Sequence, residues 1–163
     1  MKDTYKIPAK ASIGHVHLKV ADIQRSLDFY IDLLGFELKA MMGTDAAFIA
    51  AGGYHHHIGL NTWRSKGMPP ASTTGVGLFH LAIVYPTRKD LAFICKRLSD
   101  HEYPISGAAD HGVSESLYLE DPDGNSIELY CDRPSEEWKY EPDGTVTMYT
   151  ARLDIEGLLH ELD

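Results

Sequence analysis

Cysteine is scarce in this chain. Cys95 and Cys131 are the two, they do not form a Cys-x-x-Cys pair, and nothing in their spacing requires a disulfide. Apolar runs stay at strand length, which excludes a bilayer-spanning helix. Basic residues are outnumbered. Fifteen Lys and Arg against 24 Asp and Glu leave a formal charge of -9, and no Lys/Arg cluster supplies a nucleic-acid groove. The opening Met1-Lys2-Asp3-Thr4-Tyr5-Lys6 lacks the apolar core of a secretion signal, so a reducing cytoplasm is the expected location. Low-complexity blocks are absent as well. What is present, 163 residues of which 44% are apolar, suffices for one well-buried domain and falls short of two ordinary ones.

Within that length the chain repeats itself. Val16, Leu18 and Val20 alternate with His15, His17 and Lys19, the pattern of a strand with one apolar face. Asp22 is a candidate N-cap for a helix with Ile23, Leu27, Tyr30, Ile31 and Leu34 at three- and four-residue spacing, ended by Gly35. Strands are expected around 36–42, 46–50 and 54–61, punctuated by Gly43-Thr44-Asp45 and Gly52-Gly53. After a polar linker over 64–75, a strand at 80–84 and a helix at 89–101 restart the plan. A short strand near 104–106 is expected next. Segments 116–120 and 126–130 then form a hairpin around Asp121-Pro122-Asp123-Gly124-Asn125, whose Pro and Gly suit a tight turn. Aligning His15 with His80 superposes both strand–helix units. The expected fold is α+β: two βαβββ units, 12–63 and 76–131, form a curved mixed sheet around a cleft, with helices outside. Residues 1–11 form an N-terminal extension. The tail, 132–163, carries an edge strand near 146–150 and a short amphipathic helix through Ile155, Leu158, Leu159 and Leu162, best read as packing on the domain or on a second subunit.

Strand parity selects candidate functional side chains. His15 opposes the core face of the first strand. His80 shares a face with Ala82 and Val84. Glu128 lies between Ile127 and Leu129, which take the apolar side, so all three candidates can project into one cleft. Two imidazoles and a carboxylate can cap one face of an octahedral metal, as in non-haem Fe(II) oxygenases. A half-exposed polar strand face fits the same spacing equally well. The run His55-His56-His57 is unusual. With Ile58 and Leu60 toward the core, His55 and His57 face the cleft unless a bulge reverses the register. His57 is then a fourth ligand or an acid/base, the rival reading being histidines on a solvent-facing edge. His111 lies in a loop before the strand carrying Tyr118, and each gains interest from the other.

These strings resemble the vicinal oxygen chelate superfamily, which includes glyoxalase I, bleomycin-resistance proteins and extradiol dioxygenases. The likeness covers residues 12–131. His15-x-x-Leu18-Lys19-Val20-x-Asp22, Ser26-Leu27-x-Phe29-Tyr30 and Leu34-Gly35-Phe36 are similar to its opening, and Asp121-Pro122-Asp123-Gly124-Asn125-x-Ile127-Glu128-Leu129 to its closing hairpin. Residues 53–63, 80–91 and 110–125, and the tail through Asp132-Arg133-Pro134 and Asp154-Ile155-Glu156-Gly157, resemble bacterial catechol 2,3-dioxygenase modules. The resemblance implies Fe(II) held by His15, His80 and Glu128, with Mn, Ni, Zn or Co as the other divalent candidates. It also implies a base from the His55–His57 run, favouring His57, with His111 and Tyr118 bonding the substrate. A small aromatic diol and O₂ are the implied partners, and extradiol ring cleavage the implied reaction. A glyoxalase I-like isomerase or epimerase, and a metal-free drug-sequestering protein, are the alternatives within the same fold. Those dioxygenases carry two modules per chain and this sequence carries one, so either a symmetric partner supplies the other or the protein is a specialised relative; a homodimer is expected for a lone module with an amphipathic C-terminal helix.

Overall fold

The computed structural model describes residues 4–70, 72 and 74–163. Met1–Asp3 of the N-terminal extension and Ala71 and Thr73 of the linker lie outside the described residues. Among the described residues, nine strands form two sheets. In the first, β1 (Val16–Lys19) pairs parallel with β4 (Ile58–Asn61), and β3 (Ala46–Ala50) and β2 (Glu37–Met42) follow antiparallel, giving the order β1-β4-β3-β2. In the second, β5 (Leu81–Val84) pairs parallel with β8 (Ser126–Asp132). Antiparallel β7 (Ser114–Glu120), β6 (Gly107–Asp110) and β9 (Ala151–Arg152) complete the order β5-β8-β7-β6-β9. The two βαβββ units are therefore seen directly, each in its own hydrogen-bonded sheet, with β9 added at the far edge of the second.

The helices follow from their caps. Asp22 accepts from the Arg25 amide at 2.9 Å and starts α1 (Ile23–Leu27), as an N-cap aspartate should. The chain then widens into a π-helical stretch, Asp28–Leu33, whose i→i+5 bond from Leu34 N–H to the Phe29 carbonyl measures 3.0 Å. Gly35, at φ +86°, ends it in the left-handed region. Thr87 caps α2 (Arg88–Asp100), which buries Leu91, Ala92, Ile94, Cys95 and Leu98. That stripe packs with Leu117, Leu119, Ile127 and Leu129, all fully buried. Each such side chain contributes on the order of 1.5–3 kcal/mol when removed from water.

Polar bonds tie the halves together. The Tyr30 hydroxyl donates to Asp121 Oδ2 at 2.9 Å, while Asp121 also accepts from the amides of Asp123 and Asn125. Asp123 in turn accepts from the Ala21 amide and from Arg25. The closing turn of the second unit is thereby stapled to the first helix of the first. Burial and the adjacent Asp121 carboxylate push the Tyr30 phenol far above its ordinary value.

Several boundaries differ from those the sequence suggests. The fourth strand begins at Ile58, so 54–57 form a bend in which strand parity does not operate. The short strand expected near 104–106 lies at Gly107–Asp110. The edge strand of the tail lies at Ala151–Arg152, while Val146 forms an isolated bridge with Tyr140. Backbone pairing with β6 decides that position, and side-chain alternation carries no trace of it.

Candidate active site

The second sheet brings four of the predicted side chains into one connected line. His80 immediately precedes β5, and Glu128 sits opposite Ala82 in the parallel β5–β8 ladder. One strand further on, Tyr118 stands directly opposite Glu128. His80 Nε2 lies 3.0 Å from Glu128 Oε2. Tyr118 Oη is 2.9 Å from Glu128 Oε1 and 2.7 Å from His111 Nε2, and His111 Nδ1 is 2.9 Å from the Tyr149 carbonyl oxygen. Strand pairing sets Glu128 and Tyr118 side by side, because cross-strand partners lie about 5 Å apart, and His80, two residues before Ala82, reaches Glu128 diagonally.

The electrostatics suit a guest. Glu128 is buried to 9% exposure, so its charge needs partners. It has a tyrosine hydroxyl on one oxygen and an imidazole on the other. His80 Nδ1 is buried with no hydrogen-bond partner. Burial, then the hydrogen bond and charge of Glu128, raise the Tyr118 phenol above its ordinary value and keep its proton in place.

Such a pair fits a divalent metal. Two donors that each bind at about 2.1 Å and at right angles sit about 3 Å apart, which is the His80–Glu128 separation. Imidazole with carboxylate suits Fe, Mn, Ni, Zn or Co. His15 is placed elsewhere. Its ring packs on His56 with centroids 4.5 Å apart. Together with His57 it lines a cavity of about 330 Å³ that Ala82 and Val84 of β5 also line. His80 lines another space of about 380 Å³, which Gly75–Phe79 line as well. Among the described residues no three His, Cys, Asp or Glu side chains stand close enough to hold an ion together.

The histidine run is divided by the bend that carries it. His55 is exposed, with Nδ1 2.7 Å from Nδ1 of His56. His56 turns between His15 and Phe48. Burial and the neighbouring imidazoles, His15 foremost, hold its pKa below the ordinary histidine value. His57 is anchored: its backbone N–H donates to Ile49, and its Nδ1 accepts from the Ala51 amide at 3.3 Å. The neutral ring therefore carries its proton on Nε2. Two contributors escape a side-chain reading, the Ala51 amide and the Tyr149 carbonyl. Both are backbone groups, and the sole sequence hint is the glycine, Gly112, that follows His111.

The two βαβββ sheets define a fold class, and the comparisons agree with it. The model of the Glyoxalase/Bleomycin resistance protein/Dioxygenase superfamily matches residues 12–129, and the chain belongs to that family. It is 41% identical over 149 residues to a Catechol-2,3-dioxygenase of Bacillus subtilis (strain 168), covering 91% of this chain and 51% of the relative. A Biphenyl-2,3-diol 1,2-dioxygenase 3 of Rhodococcus globerulus is 33% identical over 135 residues, 78% of this chain and 68% of its own length. The chain thus spans about half the length of the Bacillus relative. Among solved structures, a glyoxalase/dioxygenase from Nostoc punctiforme superposes with a TM-score of 0.64 at 19% identity. It covers 81% of this chain and 100% of its own, a likeness of fold. The relatives indicate an enzyme. No helix among the described residues is long and apolar enough to cross a membrane.

Proposed function

We propose that this chain is the metal-binding module of an extradiol dioxygenase, cleaving a catechol-like diol with O₂ at Fe(II) held by His15, His80 and Glu128. The observation that supports this most is the unbroken line His80–Glu128–Tyr118–His111, which crosses β8 and β7 between the residue before β5 and the loop after β6. The likeness to two diol dioxygenases points the same way. When bound, Fe(II) supplies the electron path from the aromatic diol to O₂ and the positions that hold both. In the overall reaction a carbon–carbon bond beside one hydroxyl breaks, and both atoms of O₂ enter the product.

The chain's own groups do the rest. Glu128 presents Oε2 toward His80 because the Tyr118 hydroxyl engages Oε1, an outer contact that orients a ligand. His15, which lines a cavity with Ala82 and Val84 of β5, would complete the donor set from the first unit. His111 bonds Tyr118 and can take or return its proton. His57, with Nδ1 fixed on Ala51, offers Nε2 as the acid/base at the far side. A homodimer is the proposed assembly.

Anaerobic purification with metal analysis, followed by O₂ uptake on catechol and 3-methylcatechol, tests this. Iron near one per chain with a yellow ring-fission product is the expected result. Nickel, zinc or cobalt with no oxygen uptake overturns it in favour of isomerase chemistry. An iron-replete His80→Ala that has lost oxygen uptake contradicts the ligand assignment, because removing a ligand should cost both.

A further inference from the structure

The tail after β8 runs back across the second sheet and returns to the site. β9 pairs with β6, Ala151 opposite Asp110 and Arg152 opposite Ala109. Just beyond that ladder the Tyr149 amide donates to the His111 carbonyl at 3.3 Å, and the Tyr149 carbonyl oxygen lies 2.9 Å from His111 Nδ1. Gly112 leaves room for the Tyr149 ring beside this contact. A Cβ there would lie 2.5 Å from a ring carbon of Tyr149, and its φ of +78° disfavours any larger residue. The strap is anchored downstream as well. Leu153 and Leu158 are buried, and Arg88 Nη1 donates to the Gly157 carbonyl at 3.0 Å and to Glu161 at 2.7 Å.

We infer that this strap is a positioning element of the site: the Tyr149 carbonyl fixes His111 as its Nδ1–H tautomer and so turns His111 Nε2 into a proton acceptor facing Tyr118. A carbonyl oxygen can only accept, so its 2.9 Å contact puts hydrogen on Nδ1, the Thr150 hydroxyl standing farther off at 3.4 Å, and the other nitrogen's state follows. Tyr118 has one hydrogen and two neighbours, Glu128 Oε1 and His111 Nε2. Without the strap, a neutral His111 could carry its proton on Nε2, donate to the Tyr118 oxygen, and leave the Tyr118 hydrogen wholly to Glu128. With the strap, a neutral His111 competes with Glu128 for that hydrogen. Both contacts are satisfied together only when the ring holds protons on both nitrogens. The strap therefore sets the direction in which a proton can leave Tyr118, which neither His111 nor Tyr118 settles alone.

This rests on the reading of His111 and Tyr118 as site residues, and its test needs no turnover. Imidazole ¹⁵N chemical shifts of the full chain, labelled at histidine and recorded at mildly alkaline pH, report each tautomer, with His111 assigned by its disappearance in His111→Gln. The expected spectrum has a protonated Nδ1 and a bare Nε2 at His111. Gly112→Ala, which drives the Tyr149 ring away, should move the population toward the Nε2–H form. Adding Tyr149→Ala to it removes the clash while keeping a carbonyl at 149, and should restore the first pattern. An Nε2–H tautomer in the unaltered chain overturns the inference, whatever the variants do. A tautomer unmoved by Gly112→Ala overturns the role of the strap. The expected tautomer in a protein that takes up no oxygen with catechols would leave the strap in place and remove the dioxygenase reading instead.

Discussion

The two halves of this molecule share a backbone plan and diverge at the residues that matter. In the first sheet Val16 pairs with Ile58 as Leu81 pairs with Ile127 in the second. Gly59 therefore occupies the place of Glu128, and Phe48, opposite Gly59, the place of Tyr118. His15 and His80 each stand one residue before their strands. The first half thus keeps the histidine but lacks the carboxylate and the hydroxyl that orients it. The vacated space is used: the His17 ring lies over Gly59, so a Cβ there would meet it at 3.0 Å. His17 is packed between Phe48 and Trp63, and burial followed by the charge of His15 lowers its pKa. One duplicated scaffold thus carries a donor row in one half and an aromatic floor in the other. A site needs one strand face of compatible chemistry, and symmetry of the backbone does not supply it.

The sharpest way to break the comparison is to make the second half resemble the first. Glu128→Gly should abolish metal retention and oxygen uptake, each by more than the roughly 100-fold that loss of an outer-shell partner costs. Metal analysis after dialysis with the O₂ electrode reads both. Tyr118→Phe copies the second substitution of the first half. It leaves Glu128 Oε1 without its donor, and metal affinity should fall by about 10–100-fold while folding stays intact. Competition with a chromogenic chelator measures this. The reverse exchange, Gly59→Glu, should not create a second site, since the His17 ring fills the place. It should instead destabilise by about 1–3 kcal/mol through overpacking, read by urea unfolding, with metal still near one per chain.

The joint between the halves gives the smallest effect and a pH dependence. Tyr30→Phe removes the bond to Asp121, which keeps its other donors, and should cost roughly 1–2 kcal/mol in urea unfolding. Tyr30 and Tyr103 both have folded pKa values above the unfolded one, Tyr103 pushed up to about 12 chiefly by burial and then by Asp121. A raised pKa stabilises the fold below the unfolded value near 10, and that stability is lost as pH rises toward the folded value. Alkaline unfolding should therefore set in above about pH 10, and Tyr30→Phe should flatten the slope. A profile unchanged by the substitution would place the joint elsewhere.

Much of this was legible in one dimension. Alternation through Val16, Leu18 and Val20 marks the first strand's core face, and its counterpart in the second half, β5, is placed by the second occurrence of the same plan. The turn Asp121–Asn125 announced the hairpin. On that hairpin's last strand Glu128 stood out as a carboxylate among apolar residues. The His55–His57 run shows where such reading stops. Parity assigns faces only inside a strand, and a bend ending at His57 let His56 reach His15. The tail shows the other limit, because its contribution to the site is a carbonyl oxygen common to every residue.

By itself, then, the sequence determined the repeated βαβββ plan, the apolar faces and the residue types available for a site. These rest on periodicity and turn chemistry, which are local. Tertiary structure alone decided that Glu128 meets both His80 and Tyr118, that Gly59 stands in for the carboxylate in the first sheet, and that Tyr149 closes on His111. Strand order, register and the return of the tail bring together residues far apart in the chain, 38 positions for His111 and Tyr149 and 73 for Arg88 and Glu161. Only backbone pairing across those separations could choose among the partners the sequence allows.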